Sequence, residues 1–352
     1  MSIHEPTVQP ESTDFGFAAN PTPLGSATLL IAAIAGGSGL GLAAPSGAET
    51  MSRGIDITLL AMISLLFFEL RLEAVYKAFR NLKFLALAWF ANFVIVPLIG
   101  FAIASLLLRG QPLLFTGLMI YFLAPCTDWF LGFTRMAKGD AELGAALIPV
   151  NLITQLLLFP LWLWLFTQHT GLVDFASIPG VVAQWFLVPL VAAQALRLGL
   201  ERYLPSAAFE RFLSWVGQLV PIVLAVLIFQ IFAVNVGSII SNVELFALVA
   251  LAVFLFFVAT VLVGGVLSRL GHLNYPQHAL LSMTLAARNA PLMLALTAIA
   301  IPDQPLIMAV IVFGMLVEIP HLTALKQLML RRHTILQAQQ RQFQNLKKLD
   351  NM

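Results

Sequence analysis

Ten runs of roughly 20 apolar residues, parted by short polar stretches, leave this chain few ways to fold. They lie near 25–45, 54–71, 83–108, 113–136, 141–167, 177–199, 212–234, 243–268, 276–300 and 304–329. A helix of about 20 residues rises ~30 Å, the thickness of a bilayer's hydrocarbon core. In hydrocarbon every backbone N–H and C=O must be satisfied within the protein, which leaves helices or a closed barrel. The runs are long and continuous, without the apolar–polar alternation of barrel strands, so helices are expected. Composition agrees: 60% of residues are hydrophobic, 10% are charged and mean hydropathy is +0.92. That is more apolar surface than a soluble domain of 352 residues can hide. The expected fold class is an all-α integral membrane protein with ten transmembrane helices.

Basic residues test the count, because cytoplasmic loops collect Lys and Arg. Arg71, Lys77, Arg80 and Lys83 lie between runs 2 and 3, and Arg135 and Lys138 between runs 4 and 5. Arg197, Arg202 and Arg211 follow between runs 6 and 7, and Arg269 between runs 8 and 9. Lys326, Arg331, Arg332, Arg341, Lys347 and Lys348 close the chain, whereas the alternate loops hold only Arg53 and Arg109. This bias predicts a multi-pass protein of the plasma or inner membrane with both termini cytoplasmic. The polar residues 1–23, lacking the basic start of a signal peptide, are expected to be a disordered tail, and 331–352 a basic tail. Residues 24–330 are expected to form a single ten-helix membrane domain.

Ten spans divide into five and five, about 24–168 and 177–330. A repeat with an odd number of spans inserts the second time upside down. The matching fourth and ninth spans both contain a proline beside polar residues: Pro125 next to Cys126, Thr127 and Asp128 in "FLAPCTDWF", and Pro291 just after Arg288 and Asn289. Proline removes a donor from the helical ladder, and the released groups need polar partners or a cavity. Paired interruptions of this kind point to a carrier's binding site.

The residues at the breaks suggest chemistry. Cys126, the only cysteine, is a soft ligand able to hold a thiophilic solute, or a small buried hydrophobe. Asp128 within a span is a functional acid or a cap on the second half-helix. Arg288 keeps its charge and therefore pairs with Asp128, binds an anionic substrate, or snorkels to the inner surface. Asn92, Asn151, Gln155 and Asn289, with Thr127, offer neutral oxygens to a cation or a neutral solute, or glue between helices. Glu318, two residues before Pro320, belongs to a packing or gating element or to an ion path. A net charge of +2 gives nucleic acid no footing, and a lone cysteine excludes a disulfide framework and a multi-cysteine metal site. No phosphate loop or nucleophile–base pair is present, so neither an ATP-driven pump nor an enzyme is expected, and no cofactor is implied.

From about residue 55 to 330 the chain resembles the arsenical-resistance (arsenite efflux) permeases of the bile acid/sodium symporter superfamily. "NFVIVPL" (92–98), with Asn92 and Pro97, is similar to that family's third-span motif. "APCTDWFLGFTRMAKGD" (124–140) is similar to its fourth-span signature, Asn151 falls at its fifth-span Asn, and "GMLVEIP" (314–320) is similar to its tenth-span motif. The resemblance implies ten helices in a core and a panel domain, with broken helices 4 and 9 crossing. One position departs: the family carries Phe-Glu after the ninth-span Asn, and "RNAPLMLAL" puts Leu292 in that acid's place.

A secondary active carrier of a small solute is therefore expected, with arsenite-type efflux against protons as the first reading. A bile-acid-type carrier of an organic anion driven by Na⁺ is the second, and a passive channel or membrane sensor the third. The partners are the substrate, the coupling ion and the lipid bilayer.

Overall fold

The computed structural model describes residues 23–70, 81–127, 129–168, 180, 187–301 and 304–350, and among them it is helical with no β-strand. Fourteen α-helices follow in order. They are α1 Pro23–Ala43, α2 Pro45–Ser52, α3 Ile55–Glu69, α4 Leu82–Phe90, α5 Val96–Leu107, α6 Pro112–Leu123 and α7 Trp129–Met136. Then come α8 Ala141–Thr167, α9 Val188–Tyr203, α10 Ser206–Ile240, α11 Phe246–Leu270, α12 Tyr275–Ala286, α13 Ala290–Ala300 and α14 Pro305–Asp350. Every apolar run of the sequence is occupied by one or more of these helices.

Five stretches are long and apolar enough to cross a membrane unaided: Leu82–Leu107, Ala141–Phe166, Ser206–Gly237, Phe246–Leu270 and Pro305–Gln339. The bent pair Pro45–Met51 and Ile55–Glu69 would make a sixth. The fourth and ninth runs fall short for a physical reason, since each is cut in two near its middle. The start of the sixth run and the basic residues Arg71, Lys77 and Arg80 lie outside the described residues, as do 1–22.

Helix faces follow the sequence period. On α11, Val249, Val253, Phe256, Phe257, Thr260 and Gly264 turn inward, while Phe254, Leu262 and Val266 stay exposed. Short of Arg269 in the last turn, the exposed face carries no polar residue, which suits lipid rather than water. α1 packs along α10, and α3 packs on both α10 and α9. Separately, α6 packs on α14 and α5, and α11 on α12, α14 and α5. The α1–α10 contact is backbone-close: a Cβ on Gly37 or Gly41 would overlap the carbonyl oxygens of Phe229 or Ala233. Small residues permit such an approach in a membrane, where dispersion rather than water drives packing.

Buried polar side chains on α9 close off α3. Gln194 Nε2 donates to the carbonyls of Phe67 (2.6 Å) and Leu70 (3.1 Å), and Arg197 Nη1 to that of Phe68 (2.9 Å). These carbonyls belong to the last turn and cap of α3, where a helix has no i+4 donor of its own left. Phe67 O also accepts the longer Leu70 N–H bond (3.3 Å), and a cation there suits the helix dipole. Arg197 thus serves as a helix clamp as well as a topology marker.

Candidate functional site: the crossing of two broken helices

α6 stops at Leu123 and α7 starts at Trp129; α12 stops at Ala286 and α13 starts at Ala290. The two extended gaps lie side by side and antiparallel, with Pro125 opposite Arg288. Cys126 N–H donates to the Ala287 carbonyl (3.1 Å), and Asn289 N–H to the Ala124 carbonyl (2.9 Å). This pair of bonds brackets the Pro125/Arg288 position, where neither residue's N–H faces the other strand. Proline fits there because no donor is required of it. Pro125 therefore sits in its break as expected. Pro291 does not: it lies in the first turn of α13, where a missing N–H is harmless, and the ninth-span break is at 287–289.

Four half-helix ends meet here, and the electrostatics of helix ends explain the residues. α6 and α12 both finish at the crossing, bringing carbonyls that lack an intrahelical partner. The Arg288 guanidinium answers both ends. Its Nη1 donates to Phe122 O of α6 (3.1 Å), and its Nη2 faces Thr284 O (2.8 Å) and Leu285 O (2.9 Å) of α12. Asn92 Oδ1, at 3.2 Å, shares the same nitrogen. The Phe256 ring lies 5.7 Å from the guanidinium carbon. Arg288 is fully buried and does not snorkel. Its own backbone N–H goes to Glu318 Oε1 of α14 (3.1 Å).

Glu318 is buried as well, and its second oxygen accepts from Tyr121 OH at 2.7 Å. Gly314 O also lies 3.1 Å from that hydroxyl, but its one proton favours the charged acceptor. Glu318 thus joins α14 to both broken spans. On the other side, Asn92 Nδ2 donates to Thr284 Oγ1 (3.1 Å). Asn92 occupies a π-helical turn, Ala91–Ile95, ahead of Pro97, which cannot donate to the ladder.

The second half-helices begin here too. Asn289 caps α13, its Oδ1 accepting from Leu292 N–H (3.3 Å), while its Nδ2 reaches across to Thr127 Oγ1 (3.1 Å). Leu292, at the family's acid position, is buried in that first turn. Cys126 is fully buried, directly after Pro125 in the bridge to Arg288, with its N–H on the Ala287 carbonyl. Asp128 lies outside the described residues.

Asn151 and Gln155 sit one turn apart on the buried face of α8, and among the described residues no group hydrogen-bonds either side-chain amide. The structure brings Cys126, Thr127, Arg288, Asn289, Asn92 and Glu318 into one cluster. Sequence reasoning missed Tyr121 and Thr284. Both left a signal, since a tyrosine hydroxyl or a threonine one turn from a break in a span needs a partner. Among the described residues no group of three His, Cys, Asp or Glu side chains could hold a metal ion.

A helical membrane protein whose two broken helices cross in extended conformation, with a thiol and a buried charge network at the crossing, has the architecture of a solute carrier. Its sequence agrees. The model of the sodium bile acid symporter family matches residues 56–242. The arsenical-resistance protein Acr3 of Corynebacterium glutamicum is 30% identical over 251 residues, covering 68% of this chain and 68% of that protein. The chain belongs to the sodium bile acid symporter family, as a divergent member of its arsenical-resistance type. It is a multi-pass membrane transporter and not an enzyme.

Proposed function

We propose that this chain is a secondary active carrier that exports an arsenite-type solute in exchange for protons. The observation that carries the reading is the placement of Cys126. Its sulfur belongs to the unwound segment, its N–H is tied to the opposing break, and it is fully buried next to the Pro125–Arg288 bridge. Trivalent arsenic is thiophilic. Arsenous acid reacts with one thiol by forming an As–S bond and releasing one hydroxyl, which leaves as water with the thiol proton. A single thiol gives a reversible link, which suits cargo that must be released.

The state of Arg288 argues against an organic-anion carrier. Its Nη2 already faces two helix-end carbonyls and Asn92 and its Nη1 a third carbonyl, with Nε alone unpartnered among the described residues. A carboxylate binding in the bidentate manner would therefore have to displace bonds at Nη2 that hold the crossing together. Na⁺ coupling has weak support on the same grounds. Asn92 Oδ1 already accepts from Arg288 and Asn289 Oδ1 from Leu292 N–H, and the ninth-span acid is absent. We assign proton exchange to Asp128, the acid between Thr127 and Trp129, with Glu318 as a charge partner that stays in the network.

In this reading the chain has ten spans, both termini are cytoplasmic, and residues 24–168 and 177–330 are inverted repeats. α1, α3, α9 and α10 form the panel and the other helices the core. An antiparallel meeting of the two breaks is what inverted repeats would produce.

The test is transport in proteoliposomes under an imposed proton or Na⁺ gradient, comparing arsenite with an organic anion such as taurocholate. Wild-type protein should move arsenite on the proton gradient alone, Cys126→Ser should abolish transport, and Asp128→Asn should lose its pH dependence. Full arsenite transport by Cys126→Ser would make the thiol a packing residue. Na⁺-driven taurocholate uptake without arsenite transport would overturn the substrate assignment.

A further inference from the structure

A second polar feature lies at the height of the crossing, and no hydrogen bond links it to the charge network. Asn151 and Gln155 are 0% and 2% exposed, and among the described residues both the oxygen and the nitrogen of each amide lack a protein partner. A buried amide without a partner is destabilising by about 1–3 kcal/mol, so two on one helical face are unusual in a structure shaped for packing alone.

Their height follows from what α8 packs against. α8 and α12 start together, Asp140 N–H donating to the Pro276 carbonyl at 3.0 Å. One turn on, a Cβ at Gly144 would lie 3.0 Å from Leu280 Cδ1 and from Leu131 Cδ1. α8 packs on both halves of the fourth span, α7 and α6, so it runs past the break between them with Asn151 and Gln155 on its buried face. Two turns of helix return to nearly the same face, so Asn151 also points the way Gly144 does, toward α7 and α12. An independent route agrees: Trp89 Nε1 donates to Thr154 Oγ1 (3.1 Å), and Asn92, one turn above Trp89, bonds Arg288.

The chemistry of the pair selects a ligand. A carboxamide presents one acceptor oxygen and two N–H donors. A cation would use the oxygens and leave the donors unserved; an anion would do the reverse. An uncharged solute bearing several hydroxyls, each both donor and acceptor, serves both. We infer that Asn151 and Gln155 form a hydroxyl-reading subsite that binds the uncharged, multiply hydroxylated cargo while Cys126 holds its central atom. This rests on the arsenite-export reading and adds two specificity-determining residues to it.

The experiment compares arsenous acid, with three hydroxyls, and methylarsonous acid, with two, in proteoliposomes of wild type, Gln155→Met and Asn151→Ser. Methionine keeps the length of glutamine and removes its hydrogen bonds; serine keeps one hydroxyl. Gln155→Met should lower arsenous acid transport on the order of tenfold, the equivalent of one or two lost hydrogen bonds, and methylarsonous acid transport less. Thermal melting of the purified protein gives a second readout. Without arsenite, Gln155→Met should melt no lower than wild type, and the shift that arsenous acid induces in wild type should shrink. Equal losses for both solutes, unchanged arsenous acid transport, or a lower melting temperature with transport intact would overturn the subsite alone. A wild-type protein inactive toward arsenous and antimonous acid under either gradient would overturn the export reading, and the subsite with it.

Discussion

Replacing Arg288 by glutamine removes the cation that closes two helix ends. Three backbone carbonyls, those of Phe122, Thr284 and Leu285, lose their charged donor, and Asn92 Oδ1 loses a partner. A buried acceptor left unserved costs about 1–3 kcal/mol. A glutamine amide, shorter and with two donors, can recover at most one or two of these bonds. Glu318, held by the Arg288 backbone N–H and the Tyr121 hydroxyl rather than by the guanidinium itself, also loses a nearby positive charge in a buried site. These contributions overlap, so we expect a total of roughly 4 kcal/mol or more, enough to lower the yield of monodisperse protein sharply. Arg288→Lys keeps the charge but not the fork that reaches both helices, and should fall between wild type and Arg288→Gln. Arg288→Gln with Glu318→Gln removes both charges together and should recover stability beyond the sum of the single effects. The assay is fluorescence-detected size-exclusion chromatography after a temperature series on all four variants. Mild single effects that add strictly in the double variant would refute the argument, because they would mean that the two charges do not share one buried network.

Two further expectations follow from packing and topology. Gly41→Ala places a methyl against the Ala233 carbonyl and Val236 Cγ1, so α1 and α10 must separate; thermal stability should fall by about 1–3 kcal/mol, while Gly39→Ala, which meets nothing within 4 Å, should leave it unchanged. Reporter fusions after residues 110, 172 and 238 should read outside and those after 80, 138 and 205 inside; the reverse pattern would sink the ten-span arrangement.

Much of the fold is legible in sequence because the bilayer imposes it. Ten apolar runs of the right length could become little but helices, since hydrocarbon accepts no unpaired backbone, and helices occupy them. The breaks in spans 4 and 9 were legible too, because a proline next to Thr, Asp, Asn or Arg in the middle of a span is a local contradiction that only a local irregularity resolves. The same local logic located Cys126, Arg288, Asn289 and Glu318. It could not say what any of them touches. Arg288 read equally well as a partner for Asp128, a receptor for an anion or a snorkelling cation. Tertiary structure decided that it closes α6 and α12, because the need for a cation arises only where the two helix ends meet, Arg288 reaching a carbonyl 166 residues away in sequence. Likewise Pro125 and Pro291 look alike as letters, yet one lies in an extended bridge and the other in a helix's first turn, since the antiparallel pairing of 124–126 with 287–289 chose which residues unwind. Sequence determined which residues could not rest in lipid unaided; the crossing of the two chains determined which of them satisfied one another and which, Asn151 and Gln155, did not.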